Sequence, residues 1–297
     1  MSGSEISKLL PINEIATRIR VQRLLKSTVC VKAMVDPGKF GFPVRAYLGI
    51  TAQPAGIPTI LKKLAAHENT QYATDCLGAF NIISLVVFQS MDGIQQFLDQ
   101  TVGSVEGVTE IETSVCLQTK AGRFYPLSPA LFREIAPPPG LDETDLRMVS
   151  ILAEDGRIST RNLARALSVS ELTAQRRLRR LVEEKTITIR GMVKAHTVGM
   201  PLVAYIGLSV AQSKVQPTVS TIAKIEQMHV VTQCTGVFNV LCVFTSPSQG
   251  ELEDVLREHI YPIDGVHRVR TILTLSQVRA KEAKDAWIVP HGLHIAA

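Results

Sequence analysis

The stretch CLGAFNIISLVVF runs from Cys76 to Phe88, and CTGVFNVLCVF runs from Cys234 to Phe244. Both read Cys-x-Gly-x-Phe-Asn followed by an apolar run, and a shift of 158 residues lays one on the other. The same shift aligns AMVDPGKFGFPVRAYLGIT (33–51) with GMVKAHTVGMPLVAYIGLS (191–209), so that Gly41 falls on Gly199, Pro43 on Pro201, Tyr47 on Tyr205 and Gly49 on Gly207. Further along, Gly107-Val108 falls on Gly265-Val266 and Thr113 on Thr271. Upstream, one indel near residues 30–33 changes the offset to 157, and NEIATRIRVQRLL (13–25) meets SELTAQRRLRRLV (170–182). A register held this far is a tandem duplication.

In each copy the quoted stretch lies inside the same string of elements. Copy two alternates strand 204–210, helix 215–227, strands 229–235 and 239–245, helix 249–260 and strand 265–275; copy one repeats this at 45–52, 57–67, 71–77, 81–88, 92–102 and 107–117. The order βαββαβ predicts a ferredoxin-like sandwich, a four-stranded antiparallel sheet with two helices on one face. The Gly-x-Phe-Asn element then connects the second and third strands, where glycine permits positive φ and Asn tolerates turn geometry. A hairpin turn with a core Phe accounts for it as far as the fold is concerned.

Ahead of the second sandwich stand three short helical segments. LDETDLRMVSILAED (141–155) carries Leu146, Val149 and Ile151-Leu152 near helical spacing, with Asp142 as N-cap and Asp145 as the acid reaching back. TRNLARALS (160–168) opens on Ser159 or Thr160, and a turn at Ser168-Val169 leads into a third helix from Ser170 to about Glu184. This is a helix-turn-helix order. On the third helix Ala174, Leu178 and Leu181 share a core face, leaving the basic residues for other surfaces. The N-terminal end of such a helix faces base edges and phosphates. Ser168, Ser170, Thr173, Arg176, Arg177 and Arg180 are therefore the candidate DNA contacts. TITIRGMVK (186–194) is expected to form a two-stranded wing, with Arg190 and Lys194 reaching the DNA backbone. A solvated helical face beside Glu183-Glu184 is the plainer account of RRLRR.

The charge distribution agrees with a polyanion partner. The net charge is +5, yet residues 1–45 hold eight Lys/Arg against three acids and residues 160–195 hold nine against three, so the remainder is net negative. The five cysteines are odd in number and include no Cys-x-x-Cys pair, which suits structural thiols in a reducing cytoplasm. No apolar run is long enough to span a bilayer, and MSGSEISKLL has no signal-peptide pattern, so no membrane role is expected. The seven histidines are scattered and no acid/base pair converges, so no catalytic residue, metal ligand or cofactor is assigned. Trp287 in AKEAKDAWIVP is expected to anchor a C-terminal helix onto the sheet.

The sequence from Leu141-Asp142-x-x-Asp145 through the three helices to Gly236-x-Phe238-Asn239 resembles the Lrp/AsnC (feast/famine) transcription regulators over 141–280, and again over about 5–118. The resemblance implies an α+β fold with two copies of a winged helix-turn-helix joined to a βαββαβ effector (RAM) domain. The expected division is a partial winged helix-turn-helix (1–43), effector domain 1 (44–118), a Pro-rich linker (119–140), a winged helix-turn-helix DNA-binding domain (141–200), effector domain 2 (201–280) and a C-terminal tail (281–297). Pro137-Pro138-Pro139 in the linker is expected to act as a semi-stiff strut spacing the halves.

Copy one starts at the counterpart of the second helix. Its first helix would need residues ahead of Met1, so Ile6, Leu9, Ile15 and Ile19 are expected to be exposed or covered by another element, and the first reader to be degenerate, truncated or completed by another chain. Its Arg18, Arg20, Arg23 and Lys26 keep DNA contact open.

The resemblance further implies a small-molecule effector, an amino acid or related metabolite, held where the glycine loops of two effector domains meet, at Gly78, Phe80, Asn81, Gly236, Phe238 and Asn239. Family members typically carry an Asp where this chain has Asn81 and Asn239, and the lost charge argues against an ammonium partner there. The implied partners are double-stranded DNA, the effector, and further copies of the chain in a homodimer or higher homo-oligomer in the cytoplasm. Two other roles stay open: a DNA-silent, ligand-sensing partner of a complete regulator, and a tetrapyrrole decarboxylase of the Lrp-like type.

Overall fold

A computed structural model describes residues 13–121, 127–133, 135–278 and 287–288. Copy one contributes helix α1 (Glu14–Ser27), strands β1 (Val29–Val35) and β2 (Val44–Ala52), helix α2 (Ile57–Ala66), strands β3 (Thr70–Leu77) and β4 (Ile82–Phe88), helix α3 (Met91–Phe97) and strand β5 (Val108–Ala121). Copy two contributes helices α4 (Glu143–Glu154), α5 (Thr160–Leu167) and α6 (Glu171–Glu183), strands β6 (Ile187–Lys194) and β7 (Leu202–Val210), helix α7 (Val215–Ile222), strands β8 (Met228–Cys234) and β9 (Val240–Ser246), helix α8 (Gln249–Val255) and strand β10 (Val266–Val278). A two-residue strand β11 (Trp287–Ile288) follows.

Each βαββαβ unit forms the expected sheet, ordered β3-β4-β2-β5 in copy one and β8-β9-β7-β10 in copy two. The two sheets then join at both edges, β5 to β8 and β10 to β3, and close an eight-stranded barrel within one chain. Closure removes the exposed edges that each sheet would otherwise present. The two seams are copies of one another: Cys116 pairs with Cys234 at one, and Thr274 with Cys76 at the other.

The barrel explains the apolar runs that opened the sequence. Every residue of β4 is buried. Ile82, Val86 and Phe88 face α2 and α3, where Ile60, Leu64, Ile94 and Phe97 pack. Ile83 and Leu85 face the barrel interior with Tyr47, Tyr72, Phe80, Tyr205, Phe238 and Ile272. A strand covered on both faces reads as a continuous apolar run and loses the period-two alternation. Tyr47 and its repeat Tyr205 touch edge to face inside the barrel, with centroids 6.2 Å apart, where the axis relating the copies passes.

A second sheet, ordered β1-β6-β11, lies beside the three-helix unit. Strand β1 belongs to copy one and β6 to copy two, antiparallel, with Lys32 opposite its own repeat, Arg190. Thus TITIRGMVK does not fold into a two-stranded wing; it is one strand, paired along its length with β1 of the other copy and at its end with the short β11. The reason is apolar coverage: Ala33, Val35, Phe40 and Phe42 of copy one lie in the same core as Leu146, Val149, Leu163, Leu181 and Ile187.

The linker is likewise not a spacer. Leu127, Leu131 and Phe132 enter this core, and the Phe132 ring meets Phe40 edge to face at 5.5 Å. Trp287 stands in β11, opposite Lys194, where a helix was expected; residues 279–286 fall outside the described ones. No helix among the described residues is long and apolar enough to cross a membrane.

Candidate nucleic-acid interface and effector seam

Helix α4 starts on a capping box: the Asp142 carboxylate accepts from the Asp145 N–H at 2.9 Å, and the Asp145 carboxylate accepts from the Asp142 N–H at 3.2 Å. Helix α5 is capped by Ser159 and ends on Ser168, which takes the left-handed conformation (φ 59°) that lets the chain turn tightly into α6. Ser170 caps α6, its hydroxyl accepting from the Thr173 N–H at 3.1 Å and bonding the Thr173 hydroxyl at 2.8 Å. Ala174 and Leu181 fix the buried side of α6 at 0% exposure.

The arginines of α6 divide between two faces. Arg177 donates to Asp142 at 2.7 Å and to Asp145 at 2.9 Å, and Arg180 pairs with Asp145, whose side chain is only 1% exposed. These two arginines clamp α6 onto the start of α4. Burial pushes the Asp142 carboxyl up, but the hydrogen bond and charge of Arg177, with backbone N–H donors, outweigh it and hold the group below its ordinary value; the hydrogen bonds that Arg177 donates to Asp142 and Asp145 raise Arg177 in turn. Arg176 points to solvent with Leu172, Gln175 and Arg179, at successive turns of one face. Sequence reading missed Leu172, Gln175 and Arg179. Their signal was available, since a helical period sets Leu172 and Arg179 opposite the Ala174–Leu181 stripe and Gln175 on its flank. Arg190 is partly buried in the middle strand of its sheet and lies on no projecting hairpin.

In copy one the equivalent helix, α1, leaves Ile15 (74%), Ile19 (61%) and Leu24 (47%) exposed, while Ile6 and Leu9 fall outside the described residues.

At the seams the repeated motif turns out to join the halves. Gly78 has φ 127°, and a Cβ there would stand 2.8 Å from the Thr271 carbonyl of copy two; at Gly236, with φ 105°, it would stand 2.9 Å from the Ser114 hydroxyl of copy one. Phe80 and Phe238 lie flat over Gly49 and Gly207, where any Cβ would collide with the rings, and both are buried in the barrel. The Asn81 amide oxygen accepts from the Ala52 N–H at 2.8 Å; the Asn239 amide accepts from Val210 N–H at 2.8 Å and donates to its carbonyl at 2.6 Å. The amides thus tie the loops to the strand ends. The donated bond at Asn239 also gives a structural reason for Asn there, because a carboxylate would face a carbonyl oxygen.

The seams differ in their side chains. At the β5–β8 seam, Arg45 donates to Thr119 at 2.6 Å, Thr119 bonds Thr232 at 2.9 Å, and Gln216 of α7 donates to Gln118 and Gln233 at 2.9 and 2.7 Å. Arg270 of β10 lies over the Phe238 ring, 6.0 Å from its centroid. Burial pushes the thiols of Cys76 and Cys234 up to about 12 and that of Cys116 to about 11, so none is a ready nucleophile.

Comparison with known proteins matches residues 141–182 to the AsnC-type helix-turn-helix domain, and residues 45–123 and 203–283 to the Lrp/AsnC ligand binding domain. The HTH-type transcriptional regulator Ptr1 of Methanocaldococcus jannaschii is 31% identical over 136 residues, 46% of this chain and 92% of its own. An uncharacterized HTH-type transcriptional regulator of Pyrococcus horikoshii, PH0140, is 31% identical over 122 residues, 40% of this chain and 77% of its own. Among solved structures, the siroheme decarboxylase NirDL superposes over 95% of this chain and 88% of its own with a TM-score of 0.64 and 13% identity, a likeness of fold alone.

Proposed function

The chain belongs to the Lrp/AsnC family of transcription regulators, and on that premise we propose that it reads double-stranded DNA through α6 and senses a small metabolite at the barrel seams. The observation that carries the reading is the outward face of α6. Ser170 caps its leading end, and Gln175, Arg176 and Arg179 follow on exposed turns. Such a helix end offers N–H groups and positive charge to phosphates and side chains to base edges.

Ser168, Ser170, Thr173 and Arg176 remain the proposed contacts, joined by Gln175 and Arg179. Arg177 and Arg180 act by holding the helix, and Arg190 contributes from the neighbouring sheet at most through charge. The effector is proposed to sit at the loops of Gly78, Phe80, Asn81 and of Gly236, Phe238, Asn239. There it would engage loop backbone, because the amides are already committed. A ligand that shifts one seam alters the pairing of the two halves, which is how binding would reach the reader. The protein is proposed to be cytoplasmic and non-enzymatic, with further copies assembling outside the barrel, since barrel closure is completed within one chain.

The test is a mobility-shift titration against salt, using duplexes enriched from the source genome by the full-length protein. Arg176→Ala and Arg179→Ala should each weaken binding and flatten the log–log salt slope by about 1, the value for one neutralised phosphate. Arg177→Ala should lower the unfolding midpoint and leave the slope unchanged. Failure to enrich any duplex would refute the reading.

A further inference from the structure

Leu172 is the second residue of α6 and is 76% exposed, the highest value among the exposed large hydrophobic side chains of the described residues. It packs on no core and caps nothing; Ser170 supplies the cap. We infer that Leu172 is a specificity-determining residue that reads the 5-methyl group of a thymine in the major groove.

Three observations lead there. The first is position: the leading turn of the second helix of a helix-turn-helix is the part that reaches base edges. The second is isolation. The neighbours of Leu172 on the same face are Gln175, Arg176 and Arg179, and Glu171 precedes it, so among the described residues of α6 no second apolar side chain extends this face into a patch. A single aliphatic group set in a basic, hydrogen-bonding face matches a groove edge, whose one apolar group is the thymine methyl. The third is repetition. The residue at the matching position of copy one, Ile15, is also aliphatic and 74% exposed, although Arg176 has become Ile19 and Arg179 has become Gln22. The exposed aliphatic at this turn has outlasted the divergence of the face around it.

The inference rests on the DNA-reading proposal above and is tested so that the two fail differently. A duplex is enriched from a random-sequence pool by the full-length protein, and each thymine is then replaced singly by deoxyuridine, which lacks only the methyl. Wild type should lose about four-fold in affinity at one or two positions, the transfer value of one methyl-sized group. Leu172→Ala should bind the parent duplex more weakly by a similar or larger factor and be indifferent to deoxyuridine at those positions. Because Leu172 supports no packing, the variant should keep the wild-type unfolding midpoint; a lowered midpoint would make the side chain structural and overturn the inference. Indifference of the wild type to deoxyuridine at every thymine would overturn it, as would equal losses in both proteins. Enrichment of no duplex at all would instead overturn the reading beneath it.

Discussion

Helices α1 and α6 occupy matching places in the two copies and have kept the same local design. Each begins on a polar cap, Asn13 accepting from Ala16 N–H at 2.8 Å and Ser170 from Thr173 N–H at 3.1 Å. Each turns a small residue inward, Thr17 at 1% and Ala174 at 0% exposure. They part at the far end and on the outer face: Leu181 is fully buried while its counterpart Leu24 is 47% exposed, and Arg176 is replaced by Ile19. Helix α6 has Asp142 and Asp145 to receive Arg177 and Arg180; at the matching positions of α1, Arg20 and Arg23 are exposed. Capping and spacing suffice to make a helix. Aiming that helix requires the element it leans on.

The largest effect that would break this comparison is packing. Leu181→Ala removes a fully buried side chain from the core shared by the three helices and copy one's β1, and should cost about 2–5 kcal/mol. Leu24→Ala, at the equivalent position, should cost less than about 1 kcal/mol. Urea midpoints of the two variants at constant m-value decide it. Equal losses would mean that α1 is held by a core as firm as that of α6.

Where the copies have stayed alike, matching substitutions should cost more nearly the same. Gly78→Ala and Gly236→Ala both force a side chain into positive φ, for roughly 1–3 kcal/mol each. A refinement separates them: the obstacle at Gly78 is the Thr271 carbonyl, fixed in a strand, whereas at Gly236 it is the Ser114 hydroxyl, which can rotate away. Gly78→Ala should therefore be the worse of the two by thermal melting. The reverse order would show that the seams are not held as equivalent joints.

Much of this was legible in the sequence, and the reasons for the rest are physical. The βαββαβ order and the Asp142–Asp145 box follow from short-range rules of period, cap and turn, and the repeat laid the copies on each other. Barrel closure was not written locally: an edge strand reads the same whether its partner is in another chain or in the other half of its own. The wing was misread for the same reason, since TITIRGMVK fits either strand of a hairpin, whereas its full-length neighbour is β1, some 155 residues upstream. The linker prolines spoke for an extended strut, while Leu127, Leu131 and Phe132 beside them carried the packing signal. At the reader, the core stripe was readable from Ala174 and Leu181. The split of the arginines was not, because a helical period gives the face of Arg177 but not the carboxylates waiting there.

The smallest effect isolates that clamp. Asp142 is held below its ordinary carboxylate value, burial opposing the shift and Arg177 driving it. A depressed folded value means that the contribution is present above the unfolded pKa of about 4 and disappears as pH falls through the lower folded value. Half of the Asp142 side chain is exposed, so solvent screens the pair and the contribution should be a few tenths of a kcal/mol. The stability gap between wild type and Arg177→Ala should accordingly narrow as pH drops from about 6 to about 3, read as urea midpoints across that range. Asn13 and Ser170, the caps of the two matching helices, carry no titrating group, so the pH-dependent part of the gap reports the clamp and not the caps. A gap that stays constant with pH would place the role of Arg177 in the packing of its aliphatic stem, and the difference between the two helices would then be one of apolar coverage alone.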